Sequence, residues 1–400
     1  MTNEDLLLRY CARIHADGDI ESKIQSLLRD HLNWDYVFSE AFIQGVSSLI
    51  YRSLSKTNGL KLLIPKSIWE TLENNYYNIA SRNILLNKKI DNVLDSFQKA
   101  GFEVIILKGI RLIKDIYANV GLRTMKDMDI LIREKDLLGA DSILRGLGYS
   151  TWAETEDLKS LIFYSHSYLN SVMYNGKDSS IGDNLHLHWH LINSSLPVDF
   201  YMDRIEMEKI WREARLINLG EKRLKVLAFH HELIYLCMHS FSHFYDRLIL
   251  LYDINEYIKR NNKQIDWEKV ISDAFEFNLQ KPVYYGLYLA FQILNADIPK
   301  FVFSRLKTQG LGTWDCYFLN SIIKNKHSLH LRAIAYLLMN RKLKEKVRFI
   351  YRSLFPPRTI LALIKMKKAS KIGFLDYISY VRDKLAKTNL RLLTESEGRI

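Results

Sequence analysis

The chain is short of the residues that break or brace a fold. Cysteine occurs only 3 times in 400 residues, at Cys11, Cys237 and Cys316, far apart and without C-x-x-C spacing. That argues against a disulfide framework and a zinc ribbon, and fits a reducing cytoplasm. Glycine (17) and proline (6) are both scarce, below the usual ~7% and ~5%. So few turn formers in so long a chain predict long elements, mostly helices. No apolar run approaches the roughly 18 residues that cross a bilayer; Ala333–Met339 is cut off by Arg332 and Asn340. The opening Met-Thr-Asn-Glu-Asp is acidic where a secretory signal is basic. The expectation is a cytoplasmic, α-rich protein with no transmembrane segment.

What is present is a globular mixture, 48% hydrophobic and 26% charged, which excludes disordered, collagenous and low-complexity classes. The 57 basic and 45 acidic side chains give +12, unevenly spread. Between Lys324 and Lys387 the many lysines and arginines face only Glu345, Asp376 and Asp383. Such a face attracts polyanions through screened, sequence-independent forces; the plainer reading is a solvated helical surface. Apolar residues interleaved at helical spacing mark this region as folded.

Residues 1–100 read as a helical region, with apolar residues three and four apart over Asp5–His15, Glu21–Leu32, Tyr36–Ser53 and Ile68–Ala100. Gly45 is either a close-packing glycine or a tolerated one. The character changes at Gly101. Phe102–Leu107 is a short β-branched run typical of a buried strand, Lys108-Gly109 follows at once, and Ile110–Tyr117 is helical. A strand, a glycine turn and a helix start suit phosphate, because the first helical N–H groups are free. Neither a Walker P-loop nor a dinucleotide fingerprint is present.

Met125-Lys-Asp-Met-Asp-Ile-Leu-Ile-Arg133 is the most informative stretch. Residues two apart on a strand share a face, so Asp127 and Asp129 point one way and Met128, Ile130 and Ile132 the other. Carboxylates held side by side repel unless a cation neutralises them, and a hard ion such as Mg²⁺ or Mn²⁺ suits them; the alternative is a strand end with two solvated carboxylates. Glu134–Leu147 reads as a helix, and Ser167–Tyr174 and Asn184–Leu191 as strands joined by a turn at 175–178. Alternation places His186, His188 and His190 on one face. A row of imidazoles is either a hydrogen-bonded sheet face or a set of metal ligands; paired beside the aspartate strand, one of them would complete a metal site.

From Asp203 onward the pattern reads as helical, forming a 201–400 helical domain after a 101–200 core. His230, His231, His239 and His243 lie along Val226–Arg260 with Asp246 and Asp253, and helix packing is the default for them. Tyr235 stands where H-E-x-x-H needs its second histidine, so this is no zincin. No G-x-S-x-G elbow or cysteine dyad is present.

Leu107-Lys-Gly109, Gly121-Leu-Arg-Thr-Met-Lys-Asp-Met-Asp-Ile-Leu-Ile132 and Leu187-His-Trp189 together resemble an uncharacterised bacterial nucleotidyltransferase family of the DNA polymerase β-like superfamily. The likeness extends from Phe42-Ile-Gln-Gly-Val to His239, His243 and Leu251-Tyr-Asp253. It implies an α+β fold, a small mixed sheet flanked by helical regions, with Asp127 and Asp129 holding divalent ions (Mg²⁺ or Mn²⁺) that bridge an NTP triphosphate. An acceptor hydroxyl, on a small molecule, a protein or an RNA, then attacks the α-phosphorus and pyrophosphate leaves. Gly109 and the helix start would hold the β,γ-phosphates; Lys108 and Arg123 would neutralise developing charge. The third carboxylate of the pattern is replaced by His186. A catalytically degenerate nucleotide-binding module and a helical nucleic-acid-binding protein are the competing functions.

Overall fold

The computed structural model describes residues 2–14, 18–56, 60–151, 158, 159, 162, 170–177, 183–192, 203–219, 222–307, 312–323, 343–365, 367 and 369–383. Five helices come first: α1 (Asn3–Cys11), α2 (Gly18–Leu28), α3 (Trp34–Ile43), α4 (Ser47–Leu54) and α5 (Lys66–Lys99). The expected helix Tyr36–Ser53 is two, because Gly45 adopts φ +71°, a conformation that L side chains rarely take. A Cβ at Gly45 would also stand 3.1 Å from Ile249 Cγ2, so this is a close-packing glycine. The 34-residue α5 runs on without an internal glycine or proline and stops at Gly101, φ +76°.

Then come β1 (Val104–Ile106), α6 (Lys108–Arg111) continued by a π-helical turn Leu112–Tyr117, β2 (Asp127–Ile132), α7 (Leu137–Gly146), β3 (Ser171–Tyr174) and β4 (Asn184–His188). The expected strand residues 167–169 and Asp178 of the linking turn lie outside the described residues; Asn175, at the start of that turn, bridges to Ser150. After α8 (Met207–Glu213) comes a hairpin, β5 (Arg215–Leu219) and β6 (Lys222–Val226), in a stretch whose pattern reads as helical. Its alternation is weak, with Leu216 and Leu224 incompletely buried, so the apolar period gives no clear strand signal. The remaining helices are α9 (Phe229–Ser242), α10 (Leu248–Asn261), α11 (Trp267–Glu276), α12 (Gln280–Leu294), α13 (Lys300–Leu306), α14 (Thr313–Ile323), α15 (Leu343–Leu354) and α16 (Arg358–Ile364). The single helix expected over Val226–Arg260 is thus α9 and α10, separated by a turn in which Phe244 and Tyr245 both have φ +54°.

The strands form one mixed six-stranded sheet in the order β3-β4-β2-β1-β6-β5, and the fold is α+β and helix-rich. β2 runs parallel to β4 and antiparallel to β1, which pairs parallel with β6. Strand periodicity divides two cores. Ile106, Met128, Ile130, Ile132, Leu185 and Leu187 pack against α5 and α7, whereas Ile105, Leu107 and Leu131 join the large core of helices α1–α4 and α9–α14. Asp127 and Asp129 share the face of Leu131. The aspartates therefore look toward the α9–α10 block.

Candidate active site

The register of β2 and β4 sets the centre of the site. Asp129 is paired with His186, and Leu131 with His188, so in this parallel pair both imidazoles stand on the aspartate face. Asp129 Oδ1 lies 3.0 Å from His188 Nε2, 3.6 Å from His186 Nδ1 and 3.2 Å from Lys108 Nζ; His186 Nδ1 is 4.0 Å from Asp127 Oδ2. Ser171 Oγ on β3 hydrogen-bonds His186 Nε2 at 2.7 Å, which fixes the ring with Nδ1 toward the carboxylates. His190 lies past the strand end, its Nδ1 accepting from the Ile192 N–H. Asp183 is buried and ion-paired with Lys89 of α5.

Lys108 and Gly109 begin the helix after β1. A Cβ on Gly109 would stand 3.2 Å from Met125 Cγ and 3.4 Å from the Asp127 carbonyl oxygen, so the missing side chain lets the turn approach β2. The loop from that helix to β2 is strapped down on two sides. From α5, Asn83 Nδ2 donates to the Val120 and Arg123 carbonyls at 2.6 and 2.8 Å, and Arg82 donates to the Met125 and Lys126 carbonyls. From α10, Asp253 accepts Nε and Nη2 of Arg123, both at 2.7 Å, and the Tyr117 hydroxyl at 2.9 Å. Asp253 thus stands behind Arg123 and ties the loop to the helical block. Sequence reasoning missed Arg82 and Asn83, because lone polar residues on a long helix carry no signal of what they will cap.

Opposite the aspartates, the turn between α9 and α10 supplies a second wall. The cleft between them, about 370 Å³, is lined by Lys108, Gly109, Arg123, Asp127 and Asp129 on one side and by Gly45, His239, His243, Asp246 and Arg247 on the other. That volume lies in the range of small-ligand sites. His239 and His243 are neighbours edge to face, with ring centroids 4.7 Å apart.

The charges divide unequally. Burial, and then Asp129, raise the pKa of Asp127. Burial works the same way on Asp129, but Lys108, the His186 ring 3.6 Å away and a hydrogen bond from His188 hold it well below the usual carboxylate range. Burial, reinforced by His186, lowers His188 to about 4, so at neutral pH it is an uncharged donor to Asp129. Burial, with Lys108 and His243 adding to it, keeps His239 neutral too.

A divalent ion fits this donor set. Ligand atoms of Asp129, His186 and His188 lie within 4.8 Å of one another, Asp127 is adjacent, and Asp129 Oδ2 is buried without a hydrogen-bond partner. Carboxylates with imidazoles suit first-row ions such as Mn²⁺ better than Mg²⁺, which prefers oxygen alone.

Of the basic stretch Lys324–Lys387, residues 324–342, 366, 368 and 384–387 lie outside the described residues; Lys344, Arg348 and Arg358 are exposed, and Lys367 pairs with Asp376 at 2.6 Å. No helix among the described residues is long and apolar enough to cross a membrane.

No curated protein and no solved structure matches this chain. A family profile described as an uncharacterised nucleotidyltransferase matches residues 30–295, a span from α3 to the end of α12 that includes the whole sheet and both walls of the cleft. The chain belongs to that nucleotidyltransferase family.

Proposed function

We propose that the protein transfers a nucleoside monophosphate from an NTP to an acceptor hydroxyl in the cleft between β2 and the α9–α10 turn. One observation carries this reading: Asp127 and Asp129 project together into a cleft of about 370 Å³, where burial, and then the charge of Asp129, raises the pKa of Asp127, a penalty that a bound cation would relieve. Asp127, Asp129 and His186 would hold a divalent ion, which would supply charge neutralisation and lower the pKa of the acceptor hydroxyl. The acceptor hydroxyl gives up its proton to solvent as its oxygen bonds to the α-phosphorus, the bond to the β-phosphate bridging oxygen breaks, and pyrophosphate departs.

The chain's own groups do the rest. Lys108, 3.2 Å from Asp129 on the cleft wall, is the cation beside the aspartates that can meet the phosphates. Arg123 acts as a positioning residue, since Nε and Nη2 are taken by Asp253; it holds the loop that leads into β2. His239, His243 and Arg247 form the wall on which the acceptor rests.

Pyrophosphate release should be measured with each NTP under Mg²⁺ and Mn²⁺, over a panel of small-molecule, protein and RNA acceptors. Turnover that disappears in Asp127→Asn and Asp129→Asn supports the proposal; wild type and variants equally inert throughout would remove it. His186 at a carboxylate position, and Lys108 paired to Asp129, favour a second reading: a module that binds nucleotide without turnover. It expects NTP to raise the melting temperature while no pyrophosphate appears.

A further inference from the structure

The far end of α9 holds a second convergence of ligating groups, unrelated to the cleft. Glu213 closes α8, His230 and His231 stand in the first turn of α9, and Asp273 lies on α11. Glu213 Oε2 is 3.0 Å from His230 Nε2; Asp273 Oδ2 is 3.3 Å from His230 Nε2 and 3.0 Å from His231 Nε2. The donor atoms of Glu213, His230 and His231 all lie within 4.8 Å of one another. His230, His231 and Asp273 are nearly inaccessible, and the His231 side chain is 0% exposed.

These groups face one another without bonding fully. His231 Nδ1 has no hydrogen-bond partner; His231 Nε2 meets Asp273 Oδ2 at 3.0 Å without full hydrogen-bond geometry, and His230 Nε2 hydrogen-bonds Glu213 Oε2 at 3.0 Å. Buried polar atoms left in this state are costly, and each calls for an explanation. The spacing offers one. Four ligands placed tetrahedrally at roughly 2.0–2.1 Å from a zinc-like ion lie about 3.3–3.4 Å from each other, and three of the six edges, those joining Glu213 to His230 and Asp273 to each histidine, measure 3.0 to 3.3 Å. Lys209 Nζ holds Asp273 Oδ1 at 2.8 Å, leaving Oδ2 toward the histidines, the outer hydrogen bond that orients a ligating carboxylate. Phe277 packs beside the His231 ring and keeps water away.

We propose that Glu213, His230, His231 and Asp273 form a structural site for a zinc-class divalent ion that fastens α8, α9 and α11 together. Two imidazoles and two carboxylates suit Zn²⁺ or Co²⁺ and disfavour Mg²⁺ and Ca²⁺. Because metal binding requires deprotonated ligands, binding the ion releases whatever protons these groups hold. The proposal does not depend on the cleft being catalytic.

The test uses full-length Asp127→Asn/Asp129→Asn protein, which lacks both carboxylates of the cleft, stripped with a chelator and titrated with Co²⁺. One equivalent should bind with the strong visible absorption of tetrahedral cobalt, Zn²⁺ should bleach it, and Zn²⁺ should raise the melting temperature by several degrees. Adding His231→Gln should abolish the band and the shift. Where that variant does not fold, Glu213→Gln, at the edge of the cluster, should weaken cobalt binding at least tenfold. No tetrahedral band, or a band and shift that survive His231→Gln, would overturn the proposal and leave a proton-bridged network.

Discussion

Arg123 and Asp253, 130 positions apart in the chain, meet in a two-pronged buried ion pair with both N–O distances at 2.7 Å. It joins the loop before the aspartate strand to the helix behind the cleft's second wall. A pair this well matched matters most when halved, since removing one partner strands a buried charge at a cost of about 3–5 kcal/mol. Arg123→Ala and Asp253→Ala are each expected to lose stability of that order in urea unfolding. Arg123→Lys should recover little, because an ammonium cannot reproduce the fork. Loss below about 1 kcal/mol would show that the pair does not hold the loop.

Asp127 behaves in the opposite sense. Its pKa is raised by burial and by Asp129, so without metal the ionised form strains the fold. A carboxyl whose folded pKa is raised adds stability at low pH, and this is lost as pH rises through the folded value. Asp127→Asn should therefore leave metal-free stability at neutral pH unchanged or higher. It should also cut divalent-dependent turnover by about 10²–10³-fold, the rate equivalent of several kcal/mol of charge stabilisation. Thermal unfolding in chelator, set beside pyrophosphate release, separates the two effects; a large stability loss would mean the carboxylate is structural.

How much of this was legible beforehand differs by element. The alternation in Met125–Arg133 correctly placed the aspartates opposite Met128, Ile130 and Ile132; that in Asn184–Leu191 put His186, His188 and His190 on one face, which holds for His186 and His188, whereas the strand ends at His188 and His190 lies beyond it. That these two strands are neighbours was expected only conditionally, because pairing is a tertiary fact and the alternation of one strand does not name its partner. The hairpin Arg215–Val226 was not legible, nor was the break at Phe244 and Tyr245, where φ turns positive without a glycine to announce it. The second wall was visible only as histidines four apart; what they face depends on that break. Asp273 gave no signal at all, lying 42 residues along the chain from His231 on another helix.

Glu232 predicts a pH dependence. It is fully buried, neither of its oxygens has a hydrogen-bond partner, and burial pushes its pKa from 4.5 to about 7 despite Arg111 and Arg215. The folded state thus holds this proton more tightly than the unfolded chain. Its stabilisation is complete below pH 4.5 and is lost as pH rises toward 7, by on the order of 3 kcal/mol at 1.36 kcal/mol per unit. Glu232→Gln should remove that slope, so the unfolding free energies of variant and wild type should separate between pH 5 and pH 8. Parallel curves would mean that the arginines keep Glu232 ionised throughout.

His186 provides the sharpest chemical test of the cleft. It sits directly across from Asp129 in the β2–β4 register, with Ser171 on one ring nitrogen and the two aspartates near the other. As a neutral ligand it lends the ion no negative charge and biases the site toward metals that accept nitrogen. His186→Asp supplies the third carboxylate and a donor set of oxygen alone. Turnover supported by Mg²⁺ should rise at least tenfold relative to that supported by Mn²⁺, with the half-saturating Mg²⁺ concentration falling. The measurement is pyrophosphate release against metal concentration for both ions in both proteins. If the Mn²⁺-to-Mg²⁺ ratio stays fixed while both proteins turn over, His186 is not a ligand and the ion rests on Asp127 and Asp129 alone.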